Sequence, residues 1–203
     1  MKLKNKPSKK VISELTSSDI VKMIEKPFNN GIERFSLERK LAKEFRVIEL
    51  RKAMRITKEH QAKALLCDVF AIKKARSAIP ELLECLDSKS INVQENAAEA
   101  LGKIGSQKTG EKLQEKLRKD PDPWFAIALG AIKYEPAIPD LITSLQDKDS
   151  MVRGAAAWSL GVLIVEDALC DLEKALAIEK EEYSRNRMVE AIEWIQKSLI
   201  KKI

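Results

Sequence analysis

The chain repeats itself, and the period of that repeat limits what it can fold into more than any other feature. Four segments share one pattern: AIPELLECL from Ala78, TGEKLQEKL from Thr109, AIPDLITSL from Ala137 and ALCDLEKAL from Ala168, with starts 31, 28 and 31 residues apart. A second pattern follows each of the first three: NAAEALGKI from Asn96, WFAIALGAI from Trp124 and AAAWSLGVL from Ala155. Its glycines, Gly102, Gly130 and Gly161, lie 28 and 31 residues apart. Pro80 to Pro139 spans 59 residues, and so does Gly102 to Gly161, so two independent blocks shift in step. A period near 30 marks an array of small supersecondary units.

Each block reads as a helix. Ile79, Leu82, Leu83 and Leu86 stand at i, i+3, i+4 and i+7 and form one apolar stripe. Pro80 and Pro139 fall in the first turn, where the missing N–H removes no helical bond. In the second block Val93, Ala97, Ala98, Leu101 and Ile104 form another stripe. Its alanines permit close approach of neighbouring helices. The turn-prone stretches DSKS at Asp87, DPDP at Asp120 and DKDS at Asp147 punctuate the units, and Asp or Ser there can cap the next helix. Asp120 and Asp122 accordingly read as turn and cap residues, not as an acid and base pair.

A helical hairpin of about 30 residues cannot bury its apolar face alone, so hairpins must stack. The expected fold is all-α, a right-handed α-solenoid (superhelix) of stacked antiparallel helical hairpins. The segments AIPELLECL, ENAAEALGKIG, AIPDLITSL and VRGAAAWSLG resemble those of HEAT-repeat proteins, of the short-repeat type found in phycobilisome lyases and their relatives. The resemblance covers roughly residues 60 to 198. It implies the armadillo-like helical architecture and, for function, only that such arrays serve many unrelated roles. It also implies an Arg near the start of each second helix, paired with an Asp of a neighbouring turn. Arg153 and Arg187 occupy such places, with Gln94 in the first unit, and Asp147 is the implied partner. The fourth unit departs from the pattern, with Ile195 where the others carry glycine, as expected of a terminal repeat.

The rest of the chain is less regular. Residues 1–15 read as a flexible basic tail, residues 16–58 as N-terminal capping helices and residues 59–203 as the repeat array. Within the cap, TSSDIVKMIEK reads as a short helix capped by Ser17 or Ser18 and ended by Pro27 and the Asn29–Gly31 turn. From Ser36, SLERKLAKEFRVIELRKAMRI reads as one long amphipathic helix. A further helix, about Glu59 to Lys74, carries LLCDVFAIKKA, a degenerate copy of the AAEALGKI block.

Composition excludes other classes. Of the 203 residues 33% are charged and 5% aromatic, a mix that favours helices over a β-sandwich and over a disordered chain. No apolar run approaches the ~20 residues that cross a bilayer, and the basic start lacks a signal-peptide core, so the protein reads as cytoplasmic. Cys67, Cys85 and Cys170 are odd in number and far apart, which reads as three small buried thiols in a reducing compartment. His60 stands alone, so no metal site and no cofactor are expected. The charge is split: residues 1–76 hold 20 Lys and Arg against 9 Asp and Glu, whereas the whole chain is only +6. That asymmetry allows an acidic ligand or weak head-to-tail self-association of an otherwise monomeric chain.

In stacked hairpins the second helices line one face. Three residues before each glycine stand Glu99, Ile127 and Trp158; six before stand Asn96, Trp124 and Ala155. A looser fourth alignment sets Ile192 at the place of Trp158. Glu99 marks the column as facing solvent, so Trp124, Ile127, Trp158 and Ile192 are the candidate partner-binding residues. The competing reading packs these side chains against neighbouring repeats. Arg153, Asp147, Arg187, Gly102, Gly130 and Gly161 are assigned structural roles.

No nucleophile and base stand in a catalytic pattern, so the expected function is a non-catalytic protein-protein interaction scaffold or adaptor binding a partner on the concave face. A bilin-lyase-like or chaperone-like subunit is the alternative the resemblance implies. A third reading, nucleic-acid binding through the basic N-terminal part, is weakened by the absence of aromatics interleaved with the basic residues.

Overall fold

The computed structural model describes residues 15–27 and 31–201, in which twelve α-helices and three short 3₁₀ turns are the only regular elements. The expected basic tail and the Asn29–Gly31 turn fall almost wholly outside the described residues. The chain forms two compact units, residues 1–100 and 101–203, divided within one helix.

The first unit holds α1 (Ser17–Ile24), α2 (Gly31–Glu44), α3 (Val47–Ile56), α4 (His60–Ile72), α5 (Ile79–Cys85) and the start of α6 (Ile91–Ile104). Helix α1 packs on α3 and α2 on α4, while α3 also meets α4 and α5. Alternate helices therefore form one layer and consecutive helices form hairpins. The core is aliphatic: Leu41, Leu50, Leu65, Leu66, Phe70 and Leu82 are completely buried.

Two local expectations differ from the structure here. The segment from Ser36 is two helices, not one, broken at Arg46, whose backbone is extended (φ −75°, ψ 150°). No Gly or Pro marks the break. It arises because α2 and α3 belong to different layers, so the chain turns there while Leu41, Phe45 and Leu50 stay buried. Helix α1 is capped by Thr16, whose hydroxyl accepts from the Asp19 N–H while Asp19 accepts from the Thr16 N–H, rather than by Ser17 or Ser18.

The second unit holds α7 (Gln107–Lys119), α8 (Pro123–Ala131), α9 (Ile138–Ser144), α10 (Ser150–Leu163), α11 (Leu169–Ile178) and α12 (Glu182–Ile200). Here α7 meets α8 and α9, α8 packs on α10, and α10 packs on α12. The repeated glycines sit where successive second helices touch. A Cβ on Gly102 would stand 2.6 Å from the Ala131 Cβ, one on Gly130 2.8 Å from the Ser159 Cα, and one on Gly161 2.8 Å from the Ala191 Cα. Gly102, Gly130 and Gly161 thus share one surrounding and let the second helices approach backbone to backbone.

A second repeated device was not visible as a motif. Among the described residues, Lys74, Lys133 and Ile164 are the non-glycine residues with left-handed φ, at 51°, 56° and 54°. Each ends a second helix, and the next N–H reaches back five residues: Ala75 to Phe70 (2.9 Å), Tyr134 to Leu129 (3.0 Å) and Val165 to Leu160 (3.1 Å). A 3₁₀ turn follows each time, at Arg76–Ala78, Glu135–Ala137 and Glu166–Ala168, and feeds the next first helix. The left-handed residues are spaced 59 and 31 apart, in step with Pro80, Pro139 and the glycines. Helix α6 enters α7 differently, through Gly105 and a Ser106–Thr109 capping box.

Candidate functional site

In the second unit, Trp124 and Ile127 lie on α8, Trp158 on α10 and Ile192 on α12, and all four are half-buried. Their positions follow from local chemistry. Asp122 caps α8 by accepting from the Trp124 N–H at 2.8 Å, and Pro123 starts the helix. Asp149 caps α10 through the Met151 N–H at 2.8 Å. Helices α8 and α10 also carry small residues that are fully inaccessible, Ala126, Ala128, Ala155, Ala156 and Ala157, beside the buried Phe125, Leu129, Val152 and Leu160. Met151 stands seven residues before Trp158 on the same side of α10 and is 41% exposed.

On α12 the loose fourth alignment is corrected. Arg185, not Arg187, is the counterpart of Arg153: each is the fourth residue of its helix, and each guanidinium binds the carbonyl six residues back. The distances are 2.8 Å from Arg153 to the Asp147 O and 2.8 Å from Arg185 to the Glu179 O. Gln94, fourth in α6, also donates to a main-chain carbonyl of the preceding turn, the Leu86 O eight residues back, at 3.1 Å. In this register Glu190, not Ile192, holds the place of Trp158, and Tyr183 that of Met151. Tyr183 packs against α10 so closely that a Cβ on Gly154 would be 2.7 Å from its ring. Arg187 lies over that ring (5.5 Å) and binds Glu190 at 2.8 Å. The Trp124, Ile127, Met151 and Trp158 side is therefore bordered on α12 by an aromatic–cation–carboxylate cluster.

Arg153 pairs with a carboxylate, though not with that of Asp147. Its Nε and Nη2 bind Glu179 at 2.5 and 2.7 Å, while it touches Asp147 only through the main-chain carbonyl. The Asp147 carboxylate accepts instead from the Asp149 N–H at 2.8 Å. Glu179, with its side chain 2% exposed, also accepts from the N–H groups of Lys180 (2.9 Å) and Glu181 (3.0 Å). The Arg153 bond leads these interactions in holding the carboxyl at about 2, against the cost of burial.

The corresponding layer of the first unit is polar. Arg34 of α2 binds Glu38 (2.8 Å) and Asp68 of α4 (2.6 Å), and Asn96 of α6 donates to Asp68 (3.0 Å) and to the Ala64 O (3.1 Å). Burial raises the Asp68 carboxyl against the opposing pull of Arg34. In the register set by Lys74, Lys133 and Ile164, Asp68 stands where Ile127 and Trp158 stand, a column that Glu99 also occupies, exposed. Sequence reasoning missed Asp68 because its partner Arg34 stands 34 residues away and only the fold brings the two together.

Of the cysteines, Cys67 and Cys85 are buried and Cys170 is exposed, contrary to the expectation of three buried thiols. Among the described residues no group of three or more His, Cys, Asp and Glu side chains is placed to hold a metal ion. Among the same residues no helix is long and apolar enough to cross a membrane.

The comparisons agree with this geometry. A family model described as HEAT repeats matches residues 49–127 and 124–193. A protein of Geobacillus stearothermophilus, described as an uncharacterized protein in the gldA 3'region, is 39% identical over 71 residues. That stretch is 34% of this chain and 33% of the relative, so the likeness spans about a third of each. Among solved structures, an engineered protein is similar with a TM-score of 0.50 and 18% identity, over 93% of this chain and 96% of that one. The complex of CpcE and CpcF of phycocyanin lyase from Nostoc sp. is similar with a TM-score of 0.50 and 19% identity, over 98% of this chain and 91% of that one. At such identities these structures show a common helical-repeat solenoid fold and nothing of its chemistry. With the family model covering more than half of the sequence, the chain belongs to the HEAT-repeat family.

Proposed function

We propose that the protein is a non-catalytic interaction scaffold, and that its second unit docks a protein partner on the side formed by Trp124, Ile127, Met151 and Trp158. The observation that carries this reading is the contrast within α8 and α10. Phe125, Leu129, Val152 and Leu160 are buried with the alanines, while Trp124, Ile127, Met151 and Trp158 keep part of their surface open to solvent. Half-open tryptophans on a rigid helical layer fit an apolar helix of a partner, because Trp supplies contact area at low entropic cost. Arg187 and Glu190 would form the polar rim, and Ile192 stands outside this side in the corrected register.

The test is to replace Trp158 and Ile127 by Ser in the full chain and to capture partners from native lysate. Loss of a captured protein with an unchanged melting temperature supports docking. Loss of folding assigns these residues to packing and overturns the reading.

In the same reading residues 16–58 cap the array, and the chain works in the cytoplasm as a monomer or with weak self-association, without a cofactor. Nucleic-acid binding through the basic residues 1–76 is the second reading, favoured by their excess of Lys and Arg. It requires duplex DNA affinity that falls steeply with salt. A bilin-lyase-like role has only the shared fold behind it, and an absorbance shift on mixing with bilin would be needed to revive it.

A further inference from the structure

Helix α2 of the first unit has an outward side that neither the packing of the repeats nor the docking reading uses. Its inward side is satisfied. Leu41 is completely buried, and Arg34 binds Glu38 at 2.8 Å and Asp68 of α4 at 2.6 Å. The outward side is built differently. Ile32, Phe35, Arg39 and Lys43 stand at i, i+3, i+7 and i+11 and form one stripe along the helix, with Lys40 at its edge. All five are exposed, Ile32 by 79% and Phe35 by 53%.

Charge and shape narrow what covers this stripe. Its charged members, Arg39, Lys40 and Lys43, are all cations, and among the described residues none of them is held in an ion pair, in contrast to Arg34. Arg39 lies instead over the Phe35 ring, 4.8 Å from its centre, and keeps its charge in solvent. The stripe belongs to residues 1–76, which hold 20 Lys and Arg against 9 Asp and Glu. The complementary surface is therefore anionic. Its shape follows from the apolar pair. Ile32 and Phe35 project from the outer side of a single helix, where no groove receives a partner's side chains. Protein hot spots seat large side chains in well-packed pockets. The phosphate backbone of a nucleic acid gives an isoleucine nothing to pack on. A bilayer surface needs no preformed pocket: it takes up projecting apolar side chains while Lys and Arg stay among the headgroups.

We propose that the outward stripe of α2 is a docking site for the surface of an anionic phospholipid bilayer. Ile32 and Phe35 enter the boundary between headgroups and acyl chains, and Arg39, Lys40 and Lys43 face the headgroup phosphates. The helix has 14 residues and lies on the bilayer without crossing it. Two apolar side chains and a short row of cations give a reversible contact that salt weakens. The Trp124 side belongs to the second unit, and its docking role does not depend on this stripe.

The test sediments the full chain with vesicles of phosphatidylcholine alone and of phosphatidylcholine mixed with phosphatidylserine, at low and at high salt. Binding to the mixed vesicles should be about tenfold stronger or more, and salt should remove the difference. Arg39→Glu with Lys43→Glu should abolish the preference. Ile32→Ser with Phe35→Ser leaves the charge unchanged and should still weaken binding to the mixed vesicles by about fivefold or more. These side chains are exposed, so both variants should keep the melting temperature and the partner capture of the unsubstituted chain. Equal sedimentation of the unsubstituted chain with both kinds of vesicle overturns the proposal without any substitution. Binding that the serine pair leaves unchanged overturns it too, because basic residues elsewhere would then carry the attraction. Duplex DNA binding that is lost in the charge-reversed variant, with no binding to vesicles, assigns the cations to nucleic acid and also overturns it.

Discussion

Arg153 closes on Glu179 with two parallel bonds, at 2.5 and 2.7 Å, and fastens the turn before α12 to the start of α10. The carboxylate has one further strong reason to stay ionised, the two main-chain N–H groups that follow it. Its folded value is about 2, against an ordinary 4.5. The folded value is depressed, so the stabilisation is complete above the unfolded value and is lost as pH falls toward the folded one. The shift corresponds to about 3 kcal/mol, because one pKa unit is about 1.4 kcal/mol. Glu179→Gln should therefore lower stability by roughly that amount at pH 7. It should also flatten the loss seen in the unsubstituted chain between about pH 5 and pH 2. Urea midpoints measured across that range decide the matter; equal acid sensitivity of the two proteins would refute the assignment.

The glycines of the second helices should be intolerant for a packing reason. Gly130→Ala puts a methyl 2.8 Å from a main-chain carbon of Ser159, so α8 and α10 must separate, at a cost of about 1–3 kcal/mol. Gly31→Ala is the control: it is helical with nothing within 4 Å of the added carbon, and should be neutral or stabilising by about 0.5 kcal/mol. Thermal unfolding of the two variants should move in opposite directions or differ by several degrees.

Ile164 is the most costly of the three left-handed residues, since its branched Cβ crowds the following carbonyl. Ile164→Gly should raise stability by up to about 1 kcal/mol, the relief of strain being partly offset by the greater freedom of glycine when unfolded. Lys133→Gly, at the same place one repeat earlier, should gain less. A lower denaturant midpoint for Ile164→Gly would mean that the isoleucine side chain, 37% exposed, contributes more by contact than the backbone loses.

Docking and packing can be separated on α10 itself. Trp158 is half-buried and Leu160 is inaccessible. Leu160→Ala should cost about 2–5 kcal/mol, whereas Trp158→Ser should cost clearly less and act on partner capture instead. Equal losses in the two variants would place Trp158 in the core.

The recurrence of AIPELLECL and its companions was enough to establish paired helices, their order and the positions of Pro80, Pro139 and the glycines. These signals are local: an apolar stripe at i, i+3, i+4 and i+7 and a proline in the first turn depend on one helix at a time. The Asp122 and Asp149 caps were legible for the same reason. Three other features were decided by packing over longer distances. The break at Arg46 has no turn residue to announce it and exists because α2 and α3 enter different layers. Glu179, rather than Asp147, meets the Arg153 side chain because the backbone brings residues 26 apart in sequence to within hydrogen-bond reach. The fourth repeat slipped by two residues because Ile192 and Ile195 imitate the expected apolar pattern, whereas the carbonyls that hold Arg185 set the true register.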